Sequence, residues 1–346
     1  MTVMNARSAS PDRSPGRPFI RTAAPAVAAV LGLLPLTACG GDAGADDGRV
    51  DVVASFYPME FLAEEIGGEH VDVTGLTSPG VEPHDLELTP KQVGMLSDTD
   101  LVVYLKGLQP AVDKAVEQAE AEHVAEATAY TSLEKHGGHT GHDHGGEEGH
   151  GHEEGHAHEE GGGHEGHDHS TEGGGDPHVW LDPVRYAEIA EGVGKQLAKA
   201  DPEHEKAYRE NTEDLVGRLK TLDDDFRTGL EGRKTDTFVT THAAFGYLAD
   251  RYGLHEESLS GVDPASGSIS AAHIKELHEI VKEDDVSTVF FASRASDDAA
   301  DTLAQDLNLR TGVLSSLESV DDTGTQDYLS VMRQNLQALR TALDTQ

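Results

Sequence analysis

Short runs of apolar residues alternate with helical segments in two separate stretches of this chain. In the first stretch, the pattern predicts strands at residues 50–55, 71–74 and 101–104, a helix at 57–66 and another helix that begins at Thr89 and Pro90. Strands that alternate with helices form parallel sheets that are covered on both faces. The fold class is therefore predicted to be α/β.

The second stretch repeats this arrangement nearer the C-terminus. It predicts strands at 238–241, 286–291 and 313–314, and helices at 242–252, 271–282, 297–307 and 329–343. Between the two stretches, residues 184–198 and 202–230 have apolar residues at helical spacing. We therefore expect two small parallel-sheet α/β lobes, at 50–183 and 233–346. A connecting helical segment at 184–232 would join them by one long helix, with a site in the cleft between the lobes.

The first 38 residues have the features of an export signal. Four arginines precede an apolar run at residues 23–36, which is too short for a membrane span of ~20 residues. The run ends in Leu-Thr-Ala-Cys-Gly, which resembles the lipobox of bacterial lipoproteins and implies that Cys39 is lipidated. An ordinary signal peptide with an incidental cysteine is the alternative. Residues 39–49 would then be a flexible tether to the outer face of the cell membrane.

Cysteine count and charge restrict the function further. Cys39 is the chain's one cysteine, so a site in the remaining chain must be built from His, Asp and Glu. The formal charge is −38, from 64 acidic and 26 basic residues. A nucleic-acid partner is excluded because phosphate binding needs a cationic surface. We expect a monomer.

Residues 136–169 form a tract that predicts metal binding. Its 34 residues include 11 histidines, 12 glycines and 9 acidic residues. With so little apolar surface, it should be disordered when free. A solvated linker is the alternative, but a linker has no need of imidazole, which suits Zn, Cu and Ni. The candidate auxiliary ligands are His136, His139, His142, His144, His150, His152, His156, His158, His164, His167 and His169.

Three further histidines lie beside turns or strand ends outside the tract: His84, His178 and His242. Ligands in open α/β sheets collect beyond the carboxyl ends of the strands, and three imidazoles with one oxygen make a tetrahedral zinc site. The spacing alone does not select them, because other histidines compete. The competitors are His70, His123, His204, His255, His273 and His278.

Four motifs follow one another along the chain: EPHDLELTP at 82–90, DPHVWLDP at 176–183, THAAFGY at 241–247 and YLSVMRQNL at 328–336. Through these motifs, nearly all of residues 50–345 resembles the zinc-binding solute receptors of bacterial metal ABC transporters. A His-rich acidic loop before the second motif is itself typical of the zinc members. The resemblance implies that His84, His178 and His242 are metal ligands and that an ABC permease receives the zinc.

The fourth ligand departs from the family pattern. Relatives often carry an acidic residue from the second lobe, but the expected positions hold Ala292 and Ser315. Three acidic residues are candidates in their place: Glu82, Asp263 and Glu318. Water is the alternative.

The predicted function is an extracytoplasmic receptor that captures Zn²⁺ for import. The tract would be an auxiliary low-affinity segment that gathers or senses metal, and its capture should fade below pH ~6.5 as imidazole protonates. Three imidazoles disfavour manganese, whereas copper is disfavoured only by supply and geometry. The alternatives are an extracellular zinc buffer or adhesin-like lipoprotein, or a zinc hydrolase. Outside residues 136–169 the chain lacks the HExxH motif, and it has no nucleophile elbow, so an enzyme is not expected.

Overall fold

The computed structural model describes residues 48–136, 175–262, 270–292, 298–318, 320 and 325–345. Three groups of predictions therefore lie outside the described residues: the signal peptide with Cys39, the tract from His139 to His169, and Asp263. Within the described ranges, no helix is both long and apolar enough to cross a membrane.

The first lobe is built on a four-stranded parallel sheet with the strand order β2-β1-β3-β4. Its strands are β1 (Val50–Ala54), β2 (Val71–Gly75), β3 (Leu101–Tyr104) and β4 (His123–Glu126), and its helices are α1 (Tyr57–Gly67), α2 (Pro90–Asp98) and α3 (Pro110–Gln118). The predicted start of α2 is confirmed. The Thr89 side chain accepts a hydrogen bond from the Gln92 amide, and Pro90 occupies the first turn.

The second lobe has a parallel sheet of the same kind, with the order β6-β5-β7-β8. Its strands are β5 (Thr237–His242), β6 (His255–Ser260), β7 (Thr288–Phe291) and β8 (Arg310–Val313), and its helices are α6 (Gly246–Tyr252), α7 (Ala271–Glu283), α8 (Asp298–Leu307) and α9 (Tyr328–Ala342). The α/β class and the two parallel sheets are therefore as predicted.

Two helices connect the sheets. The first is α4 (Pro183–Ala200) and the second is α5 (Glu205–Gly229), separated by a short turn at Pro202–His204. The 25-residue α5 is the predicted long helix, and it contacts α1, α4 and α9. Its apolar face is buried and consists of Tyr208, Leu215, Val216, Leu219, Leu222 and Phe226.

One continuous apolar core joins both sheets to α5. It includes Leu62 beneath the first sheet, Phe226 on α5 and Phe245 in the second lobe. Trp180 is fully buried within it and contacts the Phe56 ring at 4.9 Å. Because the core is continuous, burial of apolar surface fixes the two lobes against each other.

Three parts of the predicted secondary structure were wrong. Strands β4 and β6 and helix α3 were not predicted. The two strands lack an apolar pattern, because Ala125 is the one fully buried residue of β4 and Leu259 the one of β6. The helix predicted at 242–252 begins at Gly246, since His242 pairs with Ser260 as the last residue of β5. The short strand predicted at 313–314 is the longer β8.

Candidate metal centre

Three histidines and one glutamate converge between the two sheets. His84 Nε2 lies 2.9 Å from Glu318 Oε1, and His178 Nε2 lies 3.0 Å from the same oxygen. His242 Nε2 lies 3.6 Å from Glu318 Oε2. The chain therefore brings together all three predicted histidines and one of the three predicted carboxylates.

Local backbone structure positions each histidine. His84 lies in the loop after β2, where its backbone amide donates to Glu82 Oε1 at 3.2 Å. The His178 amide donates to Asp176 Oδ1 at 3.0 Å. His242 ends β5, as expected for a ligand beyond the carboxyl end of a parallel strand.

Glu318 lies in the loop that follows β8, and this loop is held from both lobes. The Trp180 indole donates to the Ser316 carbonyl at 2.7 Å, and Ser316 Oγ donates to Glu318 Oε2 at 2.6 Å. Asn335 on α9 bonds both the amide and the carbonyl of Ser315 at 2.8 Å. Leu317 has a φ of 60°, a strained conformation for leucine that its burial maintains.

Asp176 orients His178 through its second ring nitrogen. His178 Nδ1 lies 2.6 Å from Asp176 Oδ1, and both side chains are fully buried. Burial alone would raise the pKa of Asp176, but the charge of His178 and three hydrogen bonds lower this pKa to about 2. A carboxylate that bonds one nitrogen of an imidazole fixes the ring orientation and makes the other nitrogen a stronger metal ligand.

The electrostatics of Glu318 fit a site that holds a cation. Burial opposes its ionisation, yet hydrogen bonds from His178 and His84 and the charge of His242 hold its pKa well below the usual range. His242 Nε2 is buried without a hydrogen-bond partner among the described residues. An unpaired buried nitrogen costs ~1–3 kcal/mol. A metal ion among these four side chains would remove that cost.

Of the other predicted fourth ligands, Glu82 is not paired with the three histidines. Glu82 accepts from the amide of its own loop, and the partial burial of its carboxyl with the nearby charge of Glu318 raises its pKa. Asp263 lies outside the described residues.

The first histidine of the tract is described, and it adjoins this site. His136 Nδ1 lies 3.0 Å from Asp176 Oδ2, and its Nε2 lies 3.0 Å from Asp250 Oδ2. Glu134, which is ion-paired with Arg185, completes a second group of ligand atoms within 4.8 Å of one another. This outer group is mostly exposed, so it is a weaker cation site than the buried one.

The chemistry of the inner group is selective. Imidazole nitrogens suit Zn, Cu and Ni, whereas manganese prefers carboxylates and water. Three imidazoles and one carboxylate would complete a tetrahedral shell without an open position, as in binding sites rather than catalytic ones. The fold and site together define a two-lobed α/β binding protein with a candidate metal centre between its sheets.

Comparison with known proteins agrees with this class. Residues 52–342 match the family model of the periplasmic zinc-uptake complex component A, ZnuA. The chain belongs to this family. The resemblance drawn from the four sequence motifs is therefore confirmed.

Two individual relatives match about nine tenths of this chain. The chain is 35% identical over 323 residues to the high-affinity zinc uptake system protein ZnuA of Bacillus subtilis, covering 90% of this chain and 94% of the relative. It is 33% identical over 327 residues to the zinc-binding lipoprotein AdcA of Streptococcus pneumoniae, covering 91% of this chain but only 60% of AdcA. The chain thus spans less than two thirds of the length of the streptococcal AdcA proteins.

A solved structure supports the fold. The Zn(II)-bound ZnuA-like domain of Streptococcus pneumoniae AdcA is 29% identical, with a TM-score of 0.67, over 86% of this chain and 100% of that domain. The matched part of AdcA is therefore the part that resembles ZnuA.

Proposed function

We propose that this protein captures Zn²⁺ outside the cytoplasm and delivers it to an ABC permease for import. The ligands are His84, His178, His242 and Glu318. One observation carries the proposal: a buried carboxylate from the second lobe faces the Nε2 atoms of three histidines drawn from both lobes.

The choice of zinc has two supports. The ligand set of three imidazoles and one carboxylate favours zinc, copper or nickel over manganese. The relatives above are named for zinc binding or zinc uptake. Zinc is thus the transported substrate.

A receptor fits the site better than an enzyme does. Glu318 fills the fourth position, so no coordination position is left for a reactive water. A hydrolase also needs a free general base beside the metal, and Glu318 itself is engaged by the three histidines. The site is built to bind a cation.

The histidine tract and Cys39 complete the proposed role. Lipidation of Cys39 would anchor the receptor at the outer face of the membrane, where a permease is accessible. The tract would gather or sense zinc with weaker sites, and His136 places the start of the tract against Asp176 and Asp250. Zinc gathered by the tract would pass to the buried site before delivery.

Zinc titration in competition with a chelator tests the ligand assignment. The full chain should bind one zinc tightly and several weakly. A variant lacking residues 137–169 retains His136 and should lose only the weak sites. Substituting His84, His178 and His242 together by Ala in that variant should abolish tight binding. Tight binding that survives the triple substitution would refute the assignment.

An uptake assay tests the delivery role. Cells that lack this protein should import less labelled zinc at low supply, and the wild-type gene should restore import. The triple-histidine variant should not restore it. A zinc buffer or an adhesin-like lipoprotein would bind the metal equally well, but its loss would leave import unchanged.

A further inference from the structure

Glu256 places a carboxyl group beneath the loop that follows His242. It belongs to β6, next to β5 in the second sheet. Its Oε2 accepts from the Phe245 amide at 2.9 Å, and its Oε1 lies 2.8 Å from Thr240 Oγ1 and 3.3 Å from the Ala244 amide. Among the described residues, its hydrogen-bond partners are two backbone amides and one hydroxyl.

These contacts lead directly to a candidate metal ligand. Thr240 Oγ1 lies 3.0 Å from the His242 carbonyl oxygen as well as 2.8 Å from Glu256 Oε1. The Glu256 carboxyl group is therefore linked to the His242 backbone by two paths. One path runs through the Thr240 hydroxyl, and the other runs through the amides two and three residues beyond His242.

A count of protons shows which form of Glu256 satisfies these contacts. The Thr240 hydroxyl carries one hydrogen, but both the His242 carbonyl and an ionised Glu256 would need to accept it. A neutral Glu256 resolves the conflict, because its O–H donates to Thr240 while Thr240 donates to His242. Consistent with this, burial raises the pKa of Glu256 to about 8, although hydrogen bonds to its ionised form would lower it.

We propose that Glu256, as a neutral carboxylic acid, is a positioning residue for His242 in the metal centre. It acts through the Thr240 hydroxyl and the loop amides, which fix the direction of the His242 backbone and hence of its ring. The inference rests on the proposed function, since it assigns a role toward the same zinc site.

A purely structural role makes a different prediction. The amides of Ala244 and Phe245 immediately precede α6, so Glu256 also satisfies donors at the start of that helix. If that were its whole role, substitution would lower stability without lowering zinc affinity beyond what an equally destabilising change elsewhere causes.

Four single variants of the full chain separate these roles. Glu256→Ala removes the carboxyl group, whereas Glu256→Gln keeps one donor and one acceptor and imitates the neutral acid. Thr240→Val breaks the link to His242. Thr237→Val is the matched control, because Thr237 lies at the other end of the same strand and donates to Asp284 at 2.6 Å.

Zinc affinity by chelator competition and thermal unfolding of the metal-free protein are measured for each variant. Loss of an outer-shell partner typically costs ~10–100-fold in metal affinity. We expect that loss in Glu256→Ala and Thr240→Val, and less than about threefold in Glu256→Gln and Thr237→Val. Thr240→Val keeps the test decisive if Glu256→Ala does not fold.

Two results would overturn the inference. Equal zinc affinity in Thr240→Val and Thr237→Val would show that the hydroxyl link to His242 does not contribute to binding. An equal loss of zinc affinity in Glu256→Gln and Glu256→Ala would exclude the neutral acid. His242→Ala tests the underlying function separately. If that variant keeps full zinc affinity, the proposed ligand set is wrong, whatever the Glu256 variants do.

Discussion

Replacing Glu318 by alanine should weaken zinc binding substantially. The side chain is 5% exposed, and it is the carboxylate that lies within 4 Å of all three imidazole nitrogens. Structural zinc sites with four ligands bind with ~10–16 kcal/mol, which is about 3 kcal/mol for each ligand. Loss of the Glu318 ligand alone is therefore expected to cost about 3 kcal/mol of binding free energy.

Two effects reduce this cost. A water molecule can enter the vacated position and recover part of the coordination energy. In addition, Glu318 stabilises protonated His178 in the metal-free protein, where the nearby carboxylates outweigh burial and raise the pKa of His178 to about 10. Without Glu318, zinc displaces that proton more easily. We expect a net loss of about 2–3 kcal/mol, or roughly 30- to 150-fold in affinity.

Chelator competition at fixed pH measures this loss, with Glu82→Ala for comparison. Glu82 accepts from the His84 amide and does not face the ring nitrogens, so its removal should weaken zinc binding less than about fivefold. If Glu318→Ala loses less than threefold while His178→Ala loses binding, Glu318 is only a counter-ion of the metal-free state, and the reasoning fails.

Three further outcomes follow from other contacts. Arg251→Met leaves buried Asp182 without its bidentate partner, so the free energy of unfolding should fall by ~1–3 kcal/mol in denaturant titrations. Trp180→Phe loses the bond to the Ser316 carbonyl, worth ~1 kcal/mol, and chelator competition should show about fivefold weaker zinc binding. Glu256 ionises near pH 4.5 when unfolded but at about 8 when folded. As pH rises between these values, the free energy of unfolding should therefore fall relative to that of Glu256→Gln, by at most about 5 kcal/mol. Unfolding measurements on both proteins at pH 5 and pH 8 test this.

The fold could be predicted from the sequence where its strands are buried on both faces. Central strands such as β1 and β3 are nearly continuous apolar runs, and such runs predict parallel sheets. The edge strand β6 reads His-Glu-Glu-Ser-Leu-Ser, which has no strand pattern. It forms because β5 offers it a ladder of backbone partners, and that information is non-local.

The fourth side chain of the site could not be selected from the sequence for a similar reason. Nothing local distinguishes Glu318 from Glu82. The position of Glu318 depends on Trp180, 138 residues earlier in the numbering, and on Asn335 in α9, which holds the preceding loop. The role of Glu256 is hidden in the same way, because it depends on strand pairing.

The contacts between the lobes converge on the segment that carries His178. Tyr247 donates to the Asp176 carbonyl, Arg251 pairs with Asp182, and Tyr328 donates to the Trp180 carbonyl. Every one of these bonds comes from residues beyond α5 and ends within four residues of His178. The packing of the lobes and the geometry of the candidate metal centre are therefore set by the same short segment. A change that loosens the lobes should also displace a candidate ligand, whereas an equal loss of stability at the far edge of either sheet should leave the centre intact.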